Sequence, residues 1–364
     1  VKKPEFQWQT RKHRARREAE PPGGEWADDP RAEAFTLEFD DGRRGRAVVG
    51  LHRQQVDRHS GADPDLVHAI RCWLAARGGR ATELYDDGGW LLERTPFSVD
   101  ELGTAPTGPV QRIVTLAPSN AEIVAALDRF GDVVACEDSS DYPPEVDTVE
   151  RLGPDLGPDL DRVAALQPDL VVSSLSVPGM ERVVTGLRAR ALPQLVLAPT
   201  SYAAVLADIA RVGAVLGEPA RAQAVVDHMQ RQRDQLEAHR RQPPVRVYLE
   251  WWPKPMFTPG GDCYSNELIE LAGGTNVFGQ REGSSVQIEA AELVAADPDV
   301  CFVSWCGVAP DKLDPGNLIE REGLQGLRAA AQGHVYRLDE AFSGRPGPRM
   351  LEASRRMAEA IARL

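Results

Sequence analysis

No uninterrupted apolar run in the 364 residues approaches the roughly 20 that a membrane-spanning helix needs. Basic residues are in the minority: 42 Lys and Arg face 55 Asp and Glu, for a formal net charge of −13, which argues against wholesale nucleic-acid binding. Cysteines are few and odd in number (Cys72, Cys136, Cys263, Cys301 and Cys306), with no CxxC pair. They read as reduced core thiols, with a soft-metal ligand at Cys136 or Cys263 as the alternative. The seven His are scattered and none pairs with Cys at zinc-finger spacing, so no metal site is expected. There is no GxSxG elbow, P-loop or HExxH, and the pairs Gly260-Gly261 and Gly273-Gly274 do not form a phosphate cradle before a helix. Glu137, Asp138 and Asp141 read as a solvated loop. The chain is therefore expected to be non-catalytic and to carry no cofactor.

Composition places what remains. The chain is 42% apolar, too high for disorder, and its 32 Gly and 28 Pro break it too often for a coiled coil. Residues 1–30 are polar and punctuated by Pro and Gly and read as a tail. Lys2, Lys3, Arg11, Lys12, Arg14, Arg16 and Arg17 there precede no apolar block, so a secretory signal is not visible. That leaves a cytoplasmic protein as an alternative to one whose export signal was removed or mis-called. Residues 31–105 read as a small α+β unit, with strands at 35–39, 46–51, 81–85 and 90–93 and a helix opening at Asp63-Pro64. A linker follows at 103–109.

From Arg112 short apolar strands alternate with helices, the pattern of a parallel α/β sheet. Strands are expected at 113–117, 170–173 and 195–198, with helices at 120–127, 161–166 and 202–216. Residues 219–242 then repeat apolar side chains at helical spacing (Ala222, Val225, Val226, Met229, Leu236) behind Pro219, and Pro243-Pro244 stops them. About 24 residues give a rod of roughly 36 Å. The second half echoes the first: Leu160–Ser173 aligns with Ala290–Val303, each a short helix, a Pro-Asp turn and a buried strand. Residues 120–127 similarly echo 265–272. The expected architecture is α/β, with lobes at 110–217 and 243–364 joined by one long helix at 218–242. Ligands of such folds bind beyond the C-terminal ends of the strands.

Those ends are followed by Ser119 and Asn120, by Tyr142, by Trp251, Trp252 and Phe257, by Trp305, and by Phe342 and Arg345. In a chain with only 6% aromatics, rings gathered at strand ends suit a large planar ligand.

Five blocks carry a family resemblance. Arg112–Val124, Asp141–Pro144 and Leu166–Val172 resemble the first lobe of the cobalamin-type substrate-binding proteins of ABC importers; Tyr248–Gly260 and Asn266–Phe278 resemble the second. The resemblance covers residues 110–364 and implies the helical-backbone, class III periplasmic-binding-protein fold of two Rossmann-like lobes. Relatives bind corrinoids, ferric siderophores, haem or metal ions. The metal-ion branch supplies His from both lobes, whereas His228 and His239 here fall on the long helix and His334 at a strand start.

The Glu-Trp-Trp-Pro-Lys-Pro stretch looks most like the cobalamin branch. By that similarity Tyr142, Phe257 and Arg345 fall on corrinoid-contacting positions. Three family aromatics are replaced, by Leu156, Ser174 and Ser285. The family docks on a membrane permease through one acidic residue on each lobe. Asp161 matches the first, while the second position reads Ala291, with Glu292 beside it and Glu289 nearby. The resemblance thus implies a periplasmic or cell-surface corrinoid binder that delivers its ligand to an ABC permease; the sequence does not set its oligomeric state, and a monomer is favoured. Haem or a ferric siderophore, met by Arg345 and Lys254, is the alternative within the fold; a cytoplasmic corrinoid-handling enzyme or sensor is the alternative outside it.

Overall fold

A computed structural model of the chain describes residues 106, 108–177, 180–308 and 310–364, together with seven strands within residues 1–94. The chain divides into two compact units, residues 1–104 with 178–192, and residues 105–177 with 193–364.

In the first unit the strands β1 (Gln7–Gln9), β2 (His13–Arg17), β3 (Glu33–Phe39), β4 (Arg44–Val49), β5 (Arg53–Val56), β6 (Glu83–Asp86) and β7 (Leu91–Arg94) form one sheet in sequence order. Neighbours are antiparallel except β5 and β6, which are parallel. The expected tail at 1–30 is thus corrected: it supplies β1 and β2. Polar residues dominate both strands, so composition hid a period-two element. The helix expected from Asp63, and Cys72, lie outside the described residues. The helix Glu181–Ala189 also belongs to this unit.

The second unit holds both expected lobes apart from residues 178–192 of the first. In the first, β8 (Ile113–Thr115), β9 (Val133–Cys136), β10 (Glu150–Arg151), β11 (Leu170–Ser174) and β12 (Gln194–Leu197) form a parallel sheet in the order β10-β9-β8-β11-β12. Helices α1 (Pro118–Ala126), α2 (Leu160–Ala165) and α3 (Tyr202–Val215) connect or flank it. The long helix α4 runs unbroken from Pro219 to Ala238. Its twenty residues span about 30 Å, shorter than expected because His239 leaves helical geometry and its Nδ1 lies 2.8 Å from the Gln235 carbonyl. Beyond it, β13 (Val245–Glu250), β16 (Gly274–Asn276), β18 (Val300–Val303) and β19 (Val335–Arg337) form a second parallel sheet, in the order β16-β13-β18-β19. A small antiparallel sheet, β14 (Trp252–Pro253), β15 (Met256–Pro259) and β17 (Ser285–Ile288), accompanies it. Helices α5 (Ser265–Leu271), α6 (Ala290–Ala296) and the C-terminal α7 (Leu351–Ile361) complete the lobe.

The sequence echo is carried down to hydrogen bonds. Asp169 Oδ2 accepts the backbone N–H of Arg112 at 2.9 Å, and Arg112 Nη2 donates to the Leu166 carbonyl at 2.8 Å. In the second lobe Asp299 Oδ2 accepts the N–H of Arg246 at 2.8 Å, and Arg246 Nη2 donates to the Ala296 carbonyl at 2.5 Å. Gln167 and Asp297 both turn the chain through left-handed backbone, φ 48° and 40°. Each Pro-Asp turn therefore ties a helix end to the start of the neighbouring lobe-central strand.

Apolar packing then joins the parts. One buried cluster runs through Ile113 and Leu170 in the first lobe, Ala222 and Met229 on α4, and Val247, Phe302 and Met357 in the second. A second cluster, with Tyr248, Leu293 and Trp305, fills the other side of the second lobe. No described helix is long and apolar enough to cross a membrane.

Candidate functional site: the strand ends of the two lobes

Six large apolar side chains are markedly exposed among the described residues, and four of them follow the C-terminal ends of parallel strands. Tyr142 follows β9, Leu156 follows β10, Val177 follows β11 and Trp252 follows β13; they are 39–42% exposed. Burying such side chains is favourable at about 25 cal/mol per Å2, so rings left open at the strand ends of both lobes point to an apolar ligand surface. Trp252 stands opposite Phe257 in the β14–β15 ladder, and its indole N–H is held by the Lys254 carbonyl at 3.0 Å. That bond fixes the ring in place while leaving its surface open. Phe257 is half-buried.

Between the lobes lies a charged clasp. Arg345, in the loop before α7, donates to both oxygens of Asp141 at 2.5 and 3.1 Å. It also reaches Glu122 Oε1 at 3.4 Å and Glu340 Oε2 at 3.3 Å. Arg349 holds Glu122 through Nε and Nη2, at 2.9 and 2.5 Å, and its guanidinium covers the Tyr142 ring at 4.0 Å. Asp141, Tyr142 and Glu122 belong to the first lobe, both arginines to the second. Gly347 completes the approach: a Cβ there would lie 3.6 Å from the Ser119 carbonyl and 3.8 Å from Glu122 Oε2.

The ionisation of the clasp follows its geometry. Burial works to raise the Asp141 pKa, but the bonds and charge of Arg345 outweigh it and hold the group below the ordinary carboxylate range. Burial pushes Glu340 up, with Arg345 opposing. Both arginines are raised, since their carboxylate partners outweigh the cost of burial.

Several expected site residues take other roles. Trp305 is corrected: it is only 7% exposed, sits in the second-lobe core, and donates its indole N–H to Glu250 Oε1 at 3.0 Å. Glu250 is wholly buried and also accepts from the Tyr248 hydroxyl at 2.9 Å and from Arg321 at 2.6 and 2.8 Å. Residue order placed Trp305 after a strand, but this buried carboxylate draws the ring inward. Trp251 is half-buried against the main apolar cluster, with its indole N–H buried and unpaired, so it presents less ring than expected. Asn120 is buried and donates to the Val172 carbonyl at 2.9 Å, tying α1 to β11. Ser119 is buried beside it.

Phe342 packs under Arg356 at 4.4 Å and lines a cavity of about 590 Å3 between α4 and α7, with His228, His239 and Arg355 among its other walls. Of the positions where the resemblance replaces an aromatic, Leu156 keeps an exposed apolar surface, Ser174 is buried with its hydroxyl 2.7 Å from that of Ser176, and Ser285 is half-buried in β17.

Asp161 is exposed on the first turn of α2. Its expected counterpart Glu292 is engaged: Oε2 accepts the Glu289 N–H at 2.7 Å in a capping box, and Oε1 pairs with Arg281. Cys136, Cys263 and Cys301 are buried free thiols, and burial pushes Cys136 up to about 11. No group of three or more metal-ligating side chains occurs among the described residues.

Sequence reasoning missed Arg349, Glu122 and the Glu250 network. Glu122 as the one charged residue of the helix Pro118–Ala126 was the available signal, because a buried carboxylate requires a cation.

Comparison with known proteins gives these features a family. The periplasmic binding protein profile matches residues 113–342. The vitamin B12-binding protein of Vibrio parahaemolyticus is 26% identical over 252 residues, covering 69% of this chain and 89% of that protein. That of Yersinia pestis is 24% identical over 260 residues, covering 71% and 89%. Among solved structures, the periplasmic vitamin B12 binding protein of Vibrio cholerae superimposes with a TM-score of 0.58 at 23% identity, covering 70% of this chain and 97% of that one. The apo periplasmic heme-binding protein of Roseiflexus sp. RS-1 gives a TM-score of 0.62 at 24% identity, covering 70% and 98%. Two Rossmann-like lobes on one long helix are the fold these structures share. The profile match across most of the bilobal region makes this chain a member of the periplasmic binding protein family, whose members bind solutes and are not enzymes.

Proposed function

We propose that the protein binds a corrinoid between the strand ends of its two lobes and delivers it to an ABC importer. The observation that carries this reading is the placement of open apolar side chains, Tyr142, Leu156, Val177 and Trp252, at strand ends of both lobes. A broad macrocycle can cover them together, and the relatives named as vitamin B12-binding proteins span the same region. The role places the protein outside the cytoplasmic membrane. Asp161, exposed on the first lobe, is the permease-docking carboxylate; Glu292 takes that role in the second only by leaving Arg281. Cell fractionation tests the location, and a protein found wholly in the cytosol contradicts importer delivery while leaving binding untouched.

Calorimetric titration tests the ligand. Cyanocobalamin is expected to give saturable heat at one site per chain. Haem bound with no corrinoid binding would keep the fold and overturn the ligand.

A further inference from the structure

We propose that the site selects ligands with an uncharged, amide-bearing periphery over ligands that carry carboxylates. This rests on the reading that a macrocycle binds at the strand ends, and it narrows which one.

The argument is one of donors already engaged. A ligand carboxylate at a protein surface is ordinarily received by arginine, whose planar fork matches it. The two arginines that bridge the lobes are not free to do this. Every nitrogen of Arg345 already faces a carboxylate of this chain: Nε and Nη2 face Glu340, Nη1 faces Asp141 and Glu122, and Nη2 also bonds Asp141. Arg349 gives Nε and Nη2 to Glu122 and its face to Tyr142. Three carboxylates therefore meet two guanidiniums. With Glu340 protonated, Glu122 and Asp141 would still match the arginines one to one.

Among the described residues, the loop after β9 adds no free cation. Asp138 lies there with Asp141, Glu137 is wholly buried, and Arg151 is engaged by the Glu137 and Ser140 carbonyls at 3.0 and 2.7 Å and by Asp147 at 3.3 Å. Lys254 is the exposed cation in the loop between β14 and β15. At the clasp a ligand acid must therefore either displace Asp141 from a bidentate pair or remain unpaired beside like charge, and Lys254 offers a single ammonium without the planar fork that matches a carboxylate. Amides meet no such obstacle, because they carry no charge and both donate to and accept from carboxylates. The exposed Asp141, 61% open at its side chain while Arg345 and Glu122 are buried, occupies the place a ligand acid would take.

The test titrates the 364-residue chain with two pairs that differ in peripheral carboxylates: cyanocobalamin against cobyrinic acid, which also lacks the nucleotide arm, and the dimethyl ester of haem against haem. The uncharged member of a pair that binds is expected to bind about tenfold tighter or more, the usual scale for a charged group left unpaired. Asp141→Asn should bring the two members of that pair closer, by raising affinity for the acid. Equal or tighter binding of the acid form, or a preference that Asp141→Asn leaves unchanged, overturns the proposal. If only the haem pair binds and the ester is preferred, the corrinoid reading falls and this one stands. If cyanocobalamin and cobyrinic acid bind alike, the corrinoid reading stands and this one falls. Binding of none of the four overturns both.

Discussion

Trp305 shows how one buried carboxylate redirects a side chain. Glu250 is wholly enclosed, and Trp305, Tyr248 and Arg321 supply its hydrogen-bond donors. Trp305→Phe keeps an aromatic ring but removes the indole donor and part of the buried volume. It is expected to cost about 1 to 3 kcal/mol of stability in urea denaturation and to leave ligand affinity unchanged. A loss of affinity without a loss of stability would return Trp305 to the binding surface. Arg321→Met should be costlier, about 3 to 5 kcal/mol, because it strands the carboxylate without its cation; equal stability to the parent would contradict the network described here. Tyr142 and Trp252 are the opposite case. Tyr142 and Trp252 are 39% and 42% exposed, with Arg349 over one face of Tyr142, so replacing either by Ala should weaken ligand binding by about tenfold while moving stability little. Unchanged affinity in both variants would remove them from the site. Tyr142 and Trp252 were expected just after strand ends and lie there, whereas Phe257 lies inside β15, opposite Trp252. Arg349 was not, since its partner Glu122 lies 227 positions away and the pairing exists only once the lobes meet.

The elements were more legible than the side chains. Strand β13 runs from Val245 to Glu250 as its apolar alternation requires, and α3 departs from expectation by one residue. The Pro-Asp turns at 168–169 and 298–299 announce the repeat because each aspartate has the same task, accepting from the start of a neighbouring strand. The crossing of α3 and α4 depends on Gly213: a Cβ there would lie 2.3 Å from that of Ala222 and 3.1 Å from the Glu218 carbonyl. Gly213→Ala should force the helices apart at about 1 to 3 kcal/mol, measured by thermal or chemical unfolding. On α7, Glu352 is bonded by Arg355 and Arg356, and the Arg355 bond chiefly holds its pKa down at about 2, from 4.5. Its contribution to stability is therefore fully present above about pH 4.5 and is lost as pH falls through about 2. Glu352→Gln should flatten stability against pH in that window; an unchanged profile would contradict the pairing.

At the scale of the whole molecule, the duplicated lobes, the helix Pro219–Ala238 and the apolar cluster that runs through all three make one binding frame. The bilobal plan could be read from the repeat and the long helical period. The clasp of Arg345 and Arg349 on the first lobe could not, because charge pairing between loops leaves no periodic trace. The central claim is that one macrocycle spans the open side chains of both lobes. A crystal structure of the full chain grown with cyanocobalamin tests it most directly. The account predicts the corrin ring lying against Tyr142 of the first lobe and Trp252 of the second; a corrin bound away from both, or to one lobe only, would contradict it.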